Sequence, residues 1–179
     1  MPAGEHLVLF DGSSLEGWRM AGPGSFELVD GVLESRGGMG LLWYAVRAFR
    51  DFVLDVHWQV TRREDNSGVF VRFPDPGDDP LTAVHGGYEI QIHDTAPEPI
   101  HQTGGVYSFE APSMIASNPP GSWNHFAIAC VGHEYAVTLN GAEVTRFTGS
   151  RASEGFVGLQ NHDDASRVRF RRVSATELS

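Results

Sequence analysis

The chain contains no lysine: all thirteen of its basic residues are arginine. That removes Schiff-base chemistry and the lysine of a phosphate-cradling loop. Cysteine is nearly absent, with Cys130 standing alone. Neither an intrachain disulfide nor a cysteine-based zinc ribbon can form. No apolar run approaches the roughly 20 residues of a membrane-spanning helix, so no membrane span is expected. The opening MPAGEHLVLF lacks the charged start and apolar middle of a signal peptide, and a cytoplasmic location is the expectation. Positive charge is sparse as well. The formal net charge is −10, and outside the mixed stretch Arg167 to Arg172 no basic run exceeds two residues. Nucleic acid is therefore not an expected partner. No nucleophile elbow, dinucleotide fingerprint or P-loop is present.

What the chain does have is length and turns. Its 179 residues suit one domain spanning 1–179, large enough to bury roughly 70% of its unfolded surface without staples. The 21 glycines and 10 prolines fall between short apolar runs rather than in one block. This spacing predicts many short strands joined by turns, hence an all-β sandwich or barrel. FELV-DG-VLES and YAVTL-NG-AEVTRF predict hairpins, because Asp30-Gly31 and Asn140-Gly141 tolerate the positive φ of a two-residue turn. Further strands are predicted at 51–61, 67–73, 87–94, 103–109, 123–131, 155–161 and 167–174. The run LLWYAVRAFRDF (41–52) fits a strand or a short helix, and periodicity does not decide. Residues 74–86, 95–102 and 111–121 read as loops.

Alternation sorts the strands into faces. Phe52, Leu54, Val56, Trp58 and Val60 oppose Asp55, His57 and Gln59. Val69, Val71 and Phe73 oppose Gly68, Phe70 and Arg72, in line with Asn66. Tyr88, Ile90 and Ile92 oppose Glu89, Gln91 and His93, and Val157 and Leu159 oppose Gly158, Gln160 and His162. A solvated sheet face explains alternation alone. The polar set here is rich in His, Gln, Asn, Arg and Glu, the multi-donor and multi-acceptor side chains that read hydroxyl groups. One polar, concave sheet face is the expectation.

On that face Arg72 and Glu89 are candidates to meet across neighbouring strands. The guanidinium would then favour the ionised carboxylate, making Glu89 an acceptor or base and a poor general acid. The alternative is a structural ion pair. Asp94 is a candidate second carboxylate of the kind glycoside hydrolysis uses, or a loop cap. His93, His101 and His162 are candidate acids or bases. No cofactor is firmly expected. A structural calcium or another divalent metal is compatible with Asp94, Asp163 and Asp164, although no spacing matches a metal motif. Trp18, Trp43, Tyr107 and Trp123 are candidates for stacking on a sugar, although an aromatic is more often core than platform; Tyr107, in the Gly-rich TGGVYS, is the best exception. Cys130, in AIACV, reads as a buried small hydrophobe.

Taken in order, LFDGSSLEGW (9–18), FELVDGVLES (26–35), RDFVLDVHWQV (50–60), NSGVFVRF (66–73), GYEIQIHD (87–94), TGGVY (103–107), PPGSWNHFAI (119–128), LNGAEV (139–144), GFVGLQNH (155–162) and VRFRRV (168–173) resemble one bacterial family. It is the 3-keto-disaccharide hydrolase domain family, formerly a domain of unknown function, and the resemblance spans about residues 7–178. It implies a concanavalin-like jelly-roll β-sandwich of the lectin and glucanase type, with a concave face that binds a carbohydrate ligand. It points to Asn66, Ser67, Gly68, Arg72, Glu89, Gln91, Asp94, Tyr107, Asn124, Gln160 and His162.

Two functions follow as expectations. The first is a hydrolase cleaving the glycosidic bond of 3-keto-sugars, by direct hydrolysis or by elimination then hydration. The keto group acidifies the hydrogen at C2. Glu89 or His162 removes it, Arg72 or another donor stabilises the enolate, and His93 or Asp94 assists the leaving group. The second is a non-catalytic carbohydrate-binding module on the same face. A structural or protein-interaction domain is a third, weaker alternative.

Overall fold

The computed structural model of the chain describes residues 3–179. Its strands, in chain order, are β1 (Ala3–Phe10), β2 (Trp18–Ala21), β3 (Ser25–Val29), β4 (Val32–Arg36), β5 (Gly40–Tyr44), β6 (Phe52–Val60), β7 (Ser67–Phe73), β8 (Tyr88–Ile92), β9 (Asn124–Val131), β10 (Glu134–Leu139), β11 (Ala142–Thr148), β12 (Phe156–Asn161) and β13 (Val168–Leu178). A short helix, α1 (Leu81–Gly86), joins β7 to β8. One sheet runs β11-β10-β9-β6-β13-β4-β3, with β1 also paired to β13; the other runs β2-β5-β12-β7-β8. The two pack face to face as the expected jelly-roll sandwich.

Local chemistry explains the elements. Both predicted hairpin turns carry positive φ at both central residues: 51° and 78° at Asp30-Gly31, 52° and 85° at Asn140-Gly141. That twist matches paired strands. The ambiguous run 41–52 becomes strand β5 followed by an irregular approach to β6. It read ambiguously because Gly40 to Trp43 are buried on both faces, which erases alternation. Residues 103–109 form no regular strand, yet Val106 bridges Ile90 and the segment bonds along β8.

The core lies between the sheets. Leu54, Val56 and Trp58 of β6, Phe126 and Ile128 of β9, and Phe170 and Val173 of β13 meet Val69 and Val71, Tyr88, Ile90 and Ile92, and Val157 and Leu159 from the smaller sheet. Each such side chain contributes about 1.5–3 kcal/mol on burial. Cys130 is fully buried here, its thiol pushed up to about 12 by burial.

A second apolar cluster sits on the outer face of the five-stranded sheet. Ala21, Leu41, Trp43, Phe70 and Phe73 pack there against Ala83 of α1. The helix thus covers part of that face and leaves the remainder open. No described helix is long and apolar enough to cross a membrane.

The alternation expected of β7 fails at its end. Phe156 pairs with Phe73 but Val157 pairs with Val71, so Arg72 is an extra, bulged residue with φ 57°. Phe73 is thereby turned to the outer face, opposite to the sequence expectation. Arg72 enters the interior, 0% exposed. Its guanidinium donates to the carbonyls of Arg50 and Gly132, to Asp51 Oδ1 at 3.1 Å and to the Tyr135 hydroxyl at 3.2 Å. It also lies over the Phe52 and Tyr135 rings.

Candidate functional site

Strand register decides which side chains gather on the open part of the outer face. β7 and β8 pair Gly68 with Gln91 and Phe70 with Glu89. β12 pairs Gly158 with Phe70 and Leu159 with Val69. One further residue of that register sets Gln160 beside Gly68. On the other side of β8, the Tyr107 amide donates to the Glu89 carbonyl at 2.9 Å. One row across the face therefore reads Gln160, Gly68, Gln91. The next reads Gly158, Phe70, Glu89, Tyr107. Beyond the first row, His162, Asn66 and His93 continue in phase.

Gly68 is the low point of this surface. A Cβ there would lie 2.1 Å from Glu89 Oε1 and 2.7 Å from Glu89 Cγ. Glycine is what lets the Glu89 side chain lie across β7. A cleft of about 370 Å³ opens above it, lined by Asn66, Glu89, Gln91, His93, Gln160 and His162 and walled by Met39, Val84, Ala96, Pro97, His101 and Tyr107. This volume is at the small end of the range for small-molecule sites. The His101 and Tyr107 rings stack 4.5 Å apart, which gives the cleft a flat aromatic wall.

The polar groups are arranged to be completed from outside. Glu89 Oε1, Gln91 Oε1, Gln160 Oε1 and Asn66 Oδ1 are buried and have no hydrogen-bond partner among the described residues. Buried acceptors are normally paired, and a ligand rich in hydroxyl donors would pair these. Burial pushes the Glu89 carboxyl up to about 8, so it is protonated at neutral pH and is a competent proton donor. His93 lies 3.3 Å from the Asn66 amide nitrogen. Burial, reinforced by the neighbouring His162, lowers its pKa and keeps it neutral. His162 Nδ1 lies 2.8 Å from Asp163 Oδ2. Burial acts to raise the Asp163 pKa, but bonds from His162, Ser166 and two backbone N–H groups outweigh it and hold it at about 2.

The cleft brings together Asn66, Glu89, Gln91, His93, Tyr107, Gln160 and His162. Four other candidates lie elsewhere. Arg72 does not meet Glu89, because its bulge sends it between the sheets. The expected lowering of the Glu89 pKa is accordingly reversed. Asp94 turns away into the neighbouring loops, accepting from Thr103 Oγ1 at 2.6 Å and Ser117 Oγ at 2.8 Å. Ser67 points beneath the cleft and donates to the Gln160 carbonyl at 2.6 Å, holding β12 rather than a ligand. Asn124 is on β9 of the other sheet, where its Oδ1 accepts from the Asn118 N–H and the Asn140 side chain. Asp55, His57 and Gln59 likewise belong to the outer face of the eight-stranded sheet, so they do not share the hollow. Trp18 and Trp43 are buried, and Trp123 lies on that other sheet's outer side under Arg171.

Two residues that shape the site carry no such sequence signal. Asp65 is 0% exposed and accepts from the Thr61 and Arg62 N–H groups, folding the turn that delivers Asn66. Ser166 accepts from the Asn66 N–H at 2.8 Å. Among the described residues, no group of three or more His, Cys, Asp or Glu side chains is placed to hold a metal ion.

Known structures share this architecture. A candidate glycosyl hydrolase from Parabacteroides distasonis ATCC 8503 is 26% identical, with a TM-score of 0.82 over 98% of this chain and 100% of its own. A second candidate glycosyl hydrolase from that organism is 22% identical, with a TM-score of 0.82 over 97% and 94%. The carbohydrate-binding module CBM66 from Bacillus subtilis is 16% identical, with a TM-score of 0.63 over 88% and 93%. No protein with a curated description matches the chain in sequence. Residues 5–176 match the 3-keto-alpha-glucoside-1,2-lyase-like domain, and the chain belongs to that family.

Proposed function

We propose that the cleft above Gly68 binds a sugar bearing a keto group at C3 and breaks its glycosidic bond. The observation that carries this reading is the buried, unpaired Glu89 carboxyl, raised to about 8, facing a cleft with three unpaired amide oxygens and three histidines. Hydroxyl donors of a sugar ring satisfy those oxygens, and the His101–Tyr107 wall packs against its apolar face.

A C3 carbonyl makes the C2 hydrogen acidic. His162 Nε2, with Nδ1 turned to Asp163, accepts that proton. The electron pair moves onto the C3 oxygen as an enolate, where the amide N–H groups of Gln91 or Gln160 serve as donors. As the enolate collapses, the C1–O bond breaks and Glu89 gives its proton to the departing oxygen. The products are an alcohol and a C1=C2 enone. Water then adds at C1, returning a proton to Glu89, while the His162 proton goes to C2. The net reaction is hydrolysis; stopping at the enone is a lyase reaction.

The test is to incubate the protein with 3-keto-trehalose and aryl 3-keto-glucosides and follow sugar or phenol release. Turnover is expected, falling as pH rises through about 8, where Glu89 loses its proton. Both Glu89→Gln and His162→Gln should abolish it and retain binding. Binding without turnover across the panel, with and without added divalent metals, would reassign the cleft to a carbohydrate-binding module.

A further inference from the structure

We propose that Asp163 is the positioning residue of this cleft, fixing His162 with its Nε2 lone pair toward the ligand and, through Ser166, holding Asn66 and His93. This rests on the reading of His162 as the base.

The loop after β12 is built around one carboxylate. Asp163 Oδ1 accepts from the Ala165 and Ser166 N–H groups at 2.8 and 2.7 Å. Oδ2 accepts from Ser166 Oγ at 2.9 Å and faces His162 Nδ1 at 2.8 Å. Ser166 Oγ, its own proton given to Asp163, is left with lone pairs and accepts the Asn66 N–H at 2.8 Å. The Asn66 amide in turn reaches His93 at 3.3 Å. Three cleft residues, lying just beyond the ends of β12, β7 and β8, are thus tied to one anion.

The carboxylate also selects a tautomer. An ionised carboxyl only accepts, so neutral His162 must carry its proton on Nδ1 and leave Nε2 bare. A bare Nε2 removes a proton, whereas an Nε2–H does not. Stability is a poor explanation for the contact. The His162 and Asp163 side chains are 45% and 39% exposed, and ion pairs at such exposure contribute little. Orientation is the role that remains, as for other carboxylate–histidine pairs.

Asp163→Asn isolates that role. Oδ1 still accepts from Ala165 and Ser166, so the turn persists, but the new amide donates to His162 Nδ1 and drives the proton to Nε2. The ring ¹⁵N shifts of His162 are read by NMR at a pH where the ring is neutral, with His162→Gln assigning the signals. The wild type is expected to show protonated Nδ1 and bare Nε2, and Asp163→Asn to invert the pattern. On a 3-keto-glucoside, kcat should fall about 10–100-fold with KM little changed and the alkaline limb in place. A wild-type ring protonated at Nε2, or an unchanged pattern in Asp163→Asn, overturns the proposal. The wild-type spectrum decides even if the variant does not fold. If the spectra invert as expected but no 3-keto-sugar is turned over, the positioning role stands and the functional reading falls.

Discussion

Replacing Glu89 with glutamine should stabilise the protein while removing its activity, and the gain should grow with pH. Glu89 is 6% exposed and burial raises its pKa from 4.5 to about 8. Each pKa unit is about 1.4 kcal/mol, so keeping the carboxyl ionised in the folded state costs on the order of 5 kcal/mol. The folded value lies above the unfolded one. The stability Glu89 permits is therefore whole below about pH 4.5 and is lost as pH rises toward 8. Glutamine has the same shape and does not ionise. Glu89→Gln should match the wild type at pH 4.5, exceed it by about 3 kcal/mol at pH 7 and by about 5 kcal/mol near pH 9. Open access of the cleft to water makes these upper values. Urea titrations at the three pH values measure the difference directly, and at about 2–4 °C per kcal/mol the melting temperature at pH 7 rises by roughly 10 °C. A difference that does not vary with pH, or a variant less stable than wild type near pH 9, would refute the burial argument.

Two other substitutions separate cleft from scaffold. Gly68→Ala places a methyl 2.1 Å from Glu89 Oε1. The clash is with the Glu89 side chain from Cγ outward and not with backbone, so Glu89 must swing off β7 into the cleft; the fold should survive within about 1–3 kcal/mol while turnover is lost, and melting curves beside kinetics check this. Arg72→Met leaves the Arg50 and Gly132 carbonyls and Asp51 without their buried donor. It should cost about 3–5 kcal/mol of stability, yet the folded fraction should retain its kcat, because Arg72 does not reach the cleft. A specific loss of kcat at unchanged fold would return Arg72 to the active site.

How much of this was legible in the sequence depended on whether a strand's own pattern carried the answer. β8 did: Tyr88, Ile90 and Ile92 are core, and Glu89, Gln91 and His93 line the cleft. β12 did likewise with Gln160. β7 misled, because a bulge inserts one residue and exchanges the faces of Arg72 and Phe73. Nothing in VRFP marks that bulge, since both residues fit either face. β6 misled differently. Its alternation is correct, but alternation does not say which sheet a strand joins. Asp55, His57 and Gln59 therefore seemed to share a hollow from which the whole core separates them, while Asn124, suggested by the family resemblance alone, is buried on β9 of that same sheet. Helix α1 went unread because six residues after a Pro-rich stretch carry no period. Asp65, Asp163 and Ser166 act through hydrogen bonds spanning a turn or about 100 residues, and neither distance leaves a periodic trace.

The most direct measurement is an amide-shift titration of the Glu89→Gln variant, which is expected to bind without turnover, with a 3-keto-glucoside as ligand. Saturable shifts are expected at Gly68, Gln91, Tyr107, Gln160 and His162. Shifts centred instead around Gln59, Trp123 and Arg169 on the opposite sheet, or none at all, would contradict the assignment of the cleft.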